Sequence, residues 1–298
     1  MKNIDKLMRS FIVDLGEENI VSLYDRISQQ GKKLRSKLIF EIAKNSEQSL
    51  KLASVIEMIH MASLLHDDVI DSALTRRNAN SFNADFGDKN AIMMGDILYS
   101  CAFSHLASLP QSAVTFVSNA VANLSVGELL DVELSKTFNT SKEKYFKMIY
   151  CKTASLIEAS AYAAAVLEGF EGEDFALYGK NLGLAFQIID DVLDVTSNDK
   201  MLGKPALHDF KEGKVTLPYL YMYEACKEKD KKHMMKLHKK SLNSYESAWI
   251  KDKMAEFEVI KRCMREAKNL GNKALSAIEK YNADGLKNII RQMIERDF

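Results

Sequence analysis

Two acidic motifs, Asp67-Asp68-Val69-Ile70-Asp71 and Asp190-Asp191-Val192-Leu193-Asp194, each close an apolar run of helical spacing. On a helix the first and last aspartates of such a motif lie one turn apart and project from one face. That face repels itself unless cations sit on it. The runs before the motifs, residues 55–66 and 182–189, are apolar nearly all round, the pattern of buried helices. A lone DDxxD is common on solvated helix surfaces. Here, two buried helices end in three carboxylates each, so the fold must bring metal or basic side chains to both ends.

Only three prolines (Pro110, Pro205, Pro218) and 13 glycines interrupt the 298 residues. Long unbroken segments follow, and the chain reads as all-α. Helical spacing recurs over residues 3–28, 34–44, 49–71, 90–108, 111–135, 142–169, 173–196, 214–227, 230–241, 245–270 and 272–296. Breaks are expected at 29–31, 72–87, 109–110 and 196–213. No Ser/Gly linker or composition shift divides the sequence, so a single domain over 1–298 is expected, with 47% hydrophobic residues to fill its core.

Basic and acidic residues balance at 41 each, so overall charge points neither to nucleic acid nor to an anionic membrane surface. The lysine-rich residues 227–240 read as a solvated helix pair, because acidic residues are interspersed. Cys101, Cys151, Cys226 and Cys263 are widely spaced without a CxxC pair, which predicts buried thiols in a reducing compartment, hence the cytoplasm. The charges among residues 1–10 do not resemble a signal peptide. No segment is expected to reach the roughly 20 apolar residues of a membrane span.

Cationic residues accompany both motifs. Arg76-Arg77 follows the first, Lys204 and Lys214 follow the second, and Gly31-Lys32-Lys33-Leu34-Arg35 precedes both. Arginine forks match phosphate oxygens, and hard cations such as Mg2+ take carboxylate oxygens while leaving positions open for phosphate. A diphosphate clamped by metal is the ligand this predicts. His60, two turns before Asp67, fits either a phosphate donor or a satisfied core histidine.

The ordered set resembles the all-trans polyprenyl diphosphate synthases of the isoprenyl diphosphate synthase family. It comprises Gly31-Lys32-Lys33-Leu34-Arg35, the residues from His60 to His66 before the first DDxxD, Arg76-Arg77-Asn78, Gly95-Asp96, Gly127-Glu128, Lys152-Thr153-Ala154, Phe186-Gln187 before the second DDxxD, Gly203-Lys204-Pro205, and the residues from Gly213 to Pro218. The resemblance implies the isoprenoid synthase fold, a helical bundle around a deep central cavity, usually a homodimer. It also implies head-to-tail 1′-4 condensation of isopentenyl diphosphate onto an allylic diphosphate. By the same resemblance, Asp67 and Asp71 hold two Mg2+ and Asp190 a third, with Asp68, Asp191 and Asp194 shaping the clusters. Arg76, Lys152 and Lys204 grip the allylic diphosphate, and Lys32, Arg35, His60 and Arg77 bind isopentenyl diphosphate. Thr153 and Gln187 line the reacting centre, and Lys214 belongs to the catalytic set.

The family commonly reads GGKRLRP where this chain has Gln30-Gly31-Lys32-Lys33-Leu34-Arg35-Ser36, and Asp131 stands where glutamine often follows the Gly-Glu pair. Product length is expected to depend on the helix before the first motif. The growing chain should pass Ser63 and Ala62 and continue along Ile59 and Ile56, toward a floor from residues 116–124. Short-chain members of the family often place an aromatic at positions 62 or 63 or carry a two-residue insertion in the first motif; this chain does neither, so the resemblance implies a C30 to C40 product, which suits a quinone side chain. The alternatives are a short-chain farnesyl or geranylgeranyl diphosphate synthase, a class I terpene cyclase, and a non-catalytic partner subunit. Two intact DDxxD motifs disfavour the last two.

Overall fold

The computed structural model describes residues 2–27, 33–76, 79–196 and 207–294. Helices α1 (Lys2–Val13), α2 (Glu18–Tyr24), α3 (Leu34–Ile42) and α4 (Glu47–Ile70) lead into a two-residue antiparallel hairpin, β1 (Thr75–Arg76) and β2 (Ala79–Asn80). Then come α5 (Phe82–Phe86), α6 (Asp88–Leu106), α7 (Gln111–Ser135) and α8 (Lys142–Ile149). A π-helical turn, Tyr150–Ala154, joins α8 to α9 (Ser155–Leu167). The order ends with α10 (Gly172–Thr196), α11 (His208–Lys211), α12 (Leu217–Ala225), α13 (Glu228–Leu237), α14 (Ser244–Glu256), α15 (Val259–Ala277) and α16 (Asp284–Ile294). The all-α expectation holds, the hairpin being the only sheet among the described residues.

Two compact units divide these elements. The first comprises Met1–Val121, Leu156–Gly179 and Tyr281–Leu286; the second comprises Ala122–Ser155, Lys180–Lys280 and Lys287–Phe298. In the first unit α4 is central, with α1, α3, α5 and α6 packed on it. Ser46 starts α4 through a reciprocal cap, its Oγ accepting from Ser49 N–H at 3.1 Å while Ser49 Oγ accepts from Ser46 N–H at 2.9 Å. Leu52, Val55, Ile56, Met58 and Ile59 are all fully buried, so the helix carries no polar stripe over these turns. Each such side chain contributes about 1.5–3 kcal/mol of transfer free energy. In the second unit Ala185, Ile188, Ile189 and Val192 bury the end of α10 in the same way.

Several expected boundaries are corrected. The helix expected over 3–28 is two helices, because Gly16 takes φ +76°, a left-handed position that ends α1. The break expected near residue 271 lies elsewhere. Gly271 sits inside α15, where an added Cβ would come within 2.8 Å of Ile294 Cδ1, so this glycine serves close packing against α16. Between α14 and α15 the turn is made at Glu258, with φ +50°, and neither glycine nor proline marks it. The expected 72–87 loop contains the hairpin and α5.

The expectation that no segment is long and apolar enough to cross a bilayer is also corrected. By length and composition α7 qualifies, as core helices of soluble proteins also do. All four cysteines are buried and unbridged, as expected.

Candidate active site

At the end of α4 the first motif divides by exposure. Asp68 is only 3% exposed and receives the guanidinium of Arg76 from β1: Nε lies 2.8 and 2.7 Å from its two carboxylate oxygens, and Nη2 lies 2.6 Å from Oδ1. Its backbone carbonyl accepts from Ala73 N–H at 2.8 Å and from Asn83 Nδ2 at 3.3 Å, closing the following turn onto the helix. Asp68 therefore holds the hairpin. Asp67 is half-buried and Asp71 exposed, so both stay accessible to a ligand. Nearby, Gly95 makes room for His66: an added Cβ would come 2.3 Å from Nε2, which sits 3.2 Å from the Ile92 carbonyl and 3.4 Å from Asp96. Burial, then Asp67 and Asp96, push the Tyr99 phenol up to about 12.

The second motif repeats this division. Asp191 is 3% exposed, accepting from Tyr145 Oη at 2.5 Å and from Gln187 Nε2 at 2.8 Å. Gln187 Oε1 in turn accepts from Thr153 Oγ1 at 2.8 Å, so a fixed polar chain runs Thr153, Gln187, Asp191, Tyr145. Burial pushes the Asp191 carboxyl up, with Asp209 adding to it. Burial, then Asp209, also push Asp194 up to about 7. Leu207 N–H donates to the Asp194 carbonyl at 2.9 Å and Asp209 N–H to its Oδ2 at 3.3 Å, so the chain folds back onto the helix end. Asp190 is half-buried.

Lys152 stands on the π-helical turn, whose extra residue sends it toward α7 while Thr153 turns to Gln187. Its Nζ lies 2.7 Å from Glu128 Oε2 and 2.7 Å from Asp131 Oδ2. Lys214 Nζ lies 3.6 Å from the same Asp131 oxygen and 3.1 Å from Glu212. Gly127 permits this approach, since an added Cβ would fall 2.3 Å from the Lys152 backbone nitrogen. Asp131 is thus the shared partner of two lysines. Replacing it by asparagine is expected to cost about 1–3 kcal/mol of unfolding stability, because a buried charged acceptor is lost while each lysine keeps one other carboxylate. Urea denaturation measures this, and an unchanged midpoint would refute the pairing.

Arg35 on α3 is drawn into the interior beside Glu57 of α4, whose Oε1 accepts from Ser36 Oγ at 2.5 Å. Burial pushes the Arg35 guanidinium down, with Glu57 opposing, and its Nε is buried without a hydrogen-bond partner. His60 is half-buried. Lys32, Arg77 and Lys204 lie outside the described residues.

Of the residues expected along the growing chain, Ser63 keeps partial exposure, while Ile56, Ile59 and Ala62 are each 0% exposed. The accessible side of α4 runs back from Asp67 through Leu64 and Ser63 to His60 and stops there. Beside the first motif stands Tyr99; beside the second and its lysine stand Tyr145, Asp209 and Asp131. Helical spacing marks none of these as site residues, and only Asp131 departs from the family's usual pattern.

Among the described residues no three His, Cys, Asp or Glu side chains converge to cage an ion. The carboxylates of Asp67 and Asp71, which keep exposure at the end of α4, are hard oxygen donors of the kind Mg2+ takes, water and phosphate oxygens filling the rest of its shell.

A family model described as polyprenyl synthetase matches residues 17–253. The chain belongs to the polyprenyl synthetase family. Octaprenyl pyrophosphate synthase from Helicobacter pylori superimposes with a TM-score of 0.94 at 39% identity, covering 99% of this chain and 98% of that one, which places the chain in the same helical fold. Solanesyl-diphosphate synthase 1 of Oryza sativa is 45% identical over 177 residues, 58% of this chain, which spans only 41% of that protein. A short chain isoprenyl diphosphate synthase from Methanothermobacter thermautotrophicus is 33% identical over 78% of this chain and 76% of its own length. Synthases of this family generally depend on a divalent metal.

Proposed function

We propose that this polyprenyl synthetase is a prenyltransferase that condenses isopentenyl diphosphate head to tail, 1′-4, with an allylic diphosphate. The division of both acidic motifs supports the reading. In each, one aspartate is buried and committed to structure, while Asp67 and Asp71 in the first and Asp190 in the second keep partial or full exposure as hard oxygen donors. Asp67, Asp71 and Asp190 are the residues that would hold Mg2+, three ions per site. Those ions supply charge stabilisation of the departing diphosphate.

The chain's own groups do the rest. Arg76, Lys152 and Lys204 bind the allylic diphosphate, with Lys214 beside Lys152. Lys32, Arg35, His60 and Arg77 take the diphosphate of isopentenyl diphosphate, and the unpartnered Arg35 Nε is a donor such an anion would satisfy. Thr153 and Gln187 orient the reacting carbons from their fixed polar chain. Cleavage of the allylic C–O bond leaves an allylic cation that the homoallylic double bond attacks. The released diphosphate takes the final proton, so no protein triad is required.

The product is a medium or long all-trans polyprenyl diphosphate, about C30 to C40, for which the two accessible turns of α4 supply only about 10 Å of wall and other helices the remainder. A short-chain product is the second reading, favoured by the similarity to the Methanothermobacter thermautotrophicus protein. The enzyme works as a single-domain homodimer in the cytoplasm and feeds a quinone side chain. Purified chain with Mg2+, farnesyl diphosphate and isopentenyl diphosphate is expected to give elongated prenyl alcohols after dephosphorylation, and none with excess chelator. A hydrocarbon product would indicate a cyclase, and no turnover a non-catalytic subunit.

A further inference from the structure

Helix α13 presents a lysine stripe without matching acid. At 100° per residue Lys229, Lys232 and Lys236 fall within an arc of about 60°, and all three are exposed, as are Lys239 and Lys240 just beyond the helix. The interspersed acidic residues, which suggested a balanced solvated helix, are engaged elsewhere: Glu228 lies 3.1 Å from Lys231, and Asp230 lies 3.2 Å from Lys253. Met234 and Leu237 bury the opposite side of the helix and fix the stripe outward.

Aromatic residues border the stripe. The His233 ring meets Trp249 of α14 edge-on at 4.5 Å, which makes the two helices one continuous surface. Trp249 is the chain's single tryptophan and is half-buried, while Tyr245, one turn earlier on α14, is 85% exposed. Asp252 and Glu256 lie on the same side of α14, both exposed, and Glu256 is paired with Lys253 at 2.8 Å. Lysine stems with charged tips, and aromatic rings with one polar end, are the side chains that settle at the boundary between lipid headgroups and acyl chains.

We propose that this face, with Lys229, Lys232, Lys236, Tyr245 and Trp249 at its centre, docks the protein on an anionic phospholipid surface. The choice of a bilayer over another polyanion rests on the functional reading above: an apolar polyprenyl tail with a diphosphate head must be consumed by a reaction located in a membrane. Charge complementarity and the exposed aromatics stand apart from that reading.

The single tryptophan is the probe. Full-length protein is mixed with vesicles of phosphatidylcholine alone, or with about one-third phosphatidylglycerol, and followed by tryptophan emission and co-sedimentation. A blue shift and co-sedimentation are expected with the anionic vesicles only, weakening as salt is raised. The triple variant Lys229→Glu/Lys232→Glu/Lys236→Glu should lose at least about a hundredfold in vesicle affinity. It should retain the parent's circular dichroism and its prenyl transfer rate in solution. The triple glutamine variant, which removes charge without reversing it, guards against misfolding of the first and should also bind more weakly. No vesicle binding by the parent, unchanged binding by both variants, or binding to single-stranded RNA without binding to vesicles would each overturn the proposal. Vesicle binding by a parent that shows no prenyl transfer would instead count against the functional reading and leave this surface standing.

Discussion

Asp67→Ala and Asp190→Ala should each lower turnover by about three to five orders of magnitude, equivalent to roughly 4–7 kcal/mol of transition-state stabilisation, while the protein stays folded. Both side chains are half-buried, so truncation opens no core cavity. What each removes is an oxygen donor to the ions that stabilise the departing diphosphate. The neighbouring Asp68 provides the contrast. It is 3% exposed and locked to Arg76, whose own side chain is one-third exposed, so Asp68→Ala removes a charged hydrogen-bond partner and should cost stability, about 1–3 kcal/mol, before any effect on chemistry is considered. Steady-state kinetics beside urea denaturation separates the two kinds of loss. Turnover within about tenfold of the parent for Asp67→Ala or Asp190→Ala would rule out their assignment to the metal.

The helices and both acidic motifs were legible because their signals are local. Apolar spacing over α4 and α10, and paired aspartates one turn apart, need no knowledge of the rest of the chain. What escaped is decided by tertiary packing. Gly16 and Gly271 are the same residue in helical surroundings; one takes a left-handed φ and stops a helix, while the other stays helical so that α16 can approach. Nothing in either local sequence distinguishes them. Glu258 turns the chain at φ +50° with no glycine to announce it. Tyr145 reaches Asp191 across 46 residues, a pairing that periodicity does not encode. Asp131 was visible as a departure from the family's usual glutamine, yet its meaning appears only when the π-helical turn brings Lys152 to it.

Ser63→Phe should move the product from about C30–C40 to C15–C20 with the chemistry intact, whereas Ala62→Phe should not plug the passage. The distinction comes from the accessible side of α4. Ser63 lies four residues before Asp67, about 6 Å along the axis, on the face that keeps residual exposure. Its hydroxyl donates back to the His60 carbonyl at 2.9 Å, so the side chain offers a growing hydrocarbon little more than a small apolar surface. A phenyl ring there fills space into which a tail would extend. Ala62 is fully buried on another side of the helix, so a ring at that position must displace packed neighbours, at a cost of about 1–3 kcal/mol in stability. Chromatography of dephosphorylated products, with thermal denaturation of both variants, reads the two outcomes independently. A parent that itself stops at C15 or C20 would favour the short-chain reading. An unchanged long product from Ser63→Phe would show that the tail does not run along this face of α4.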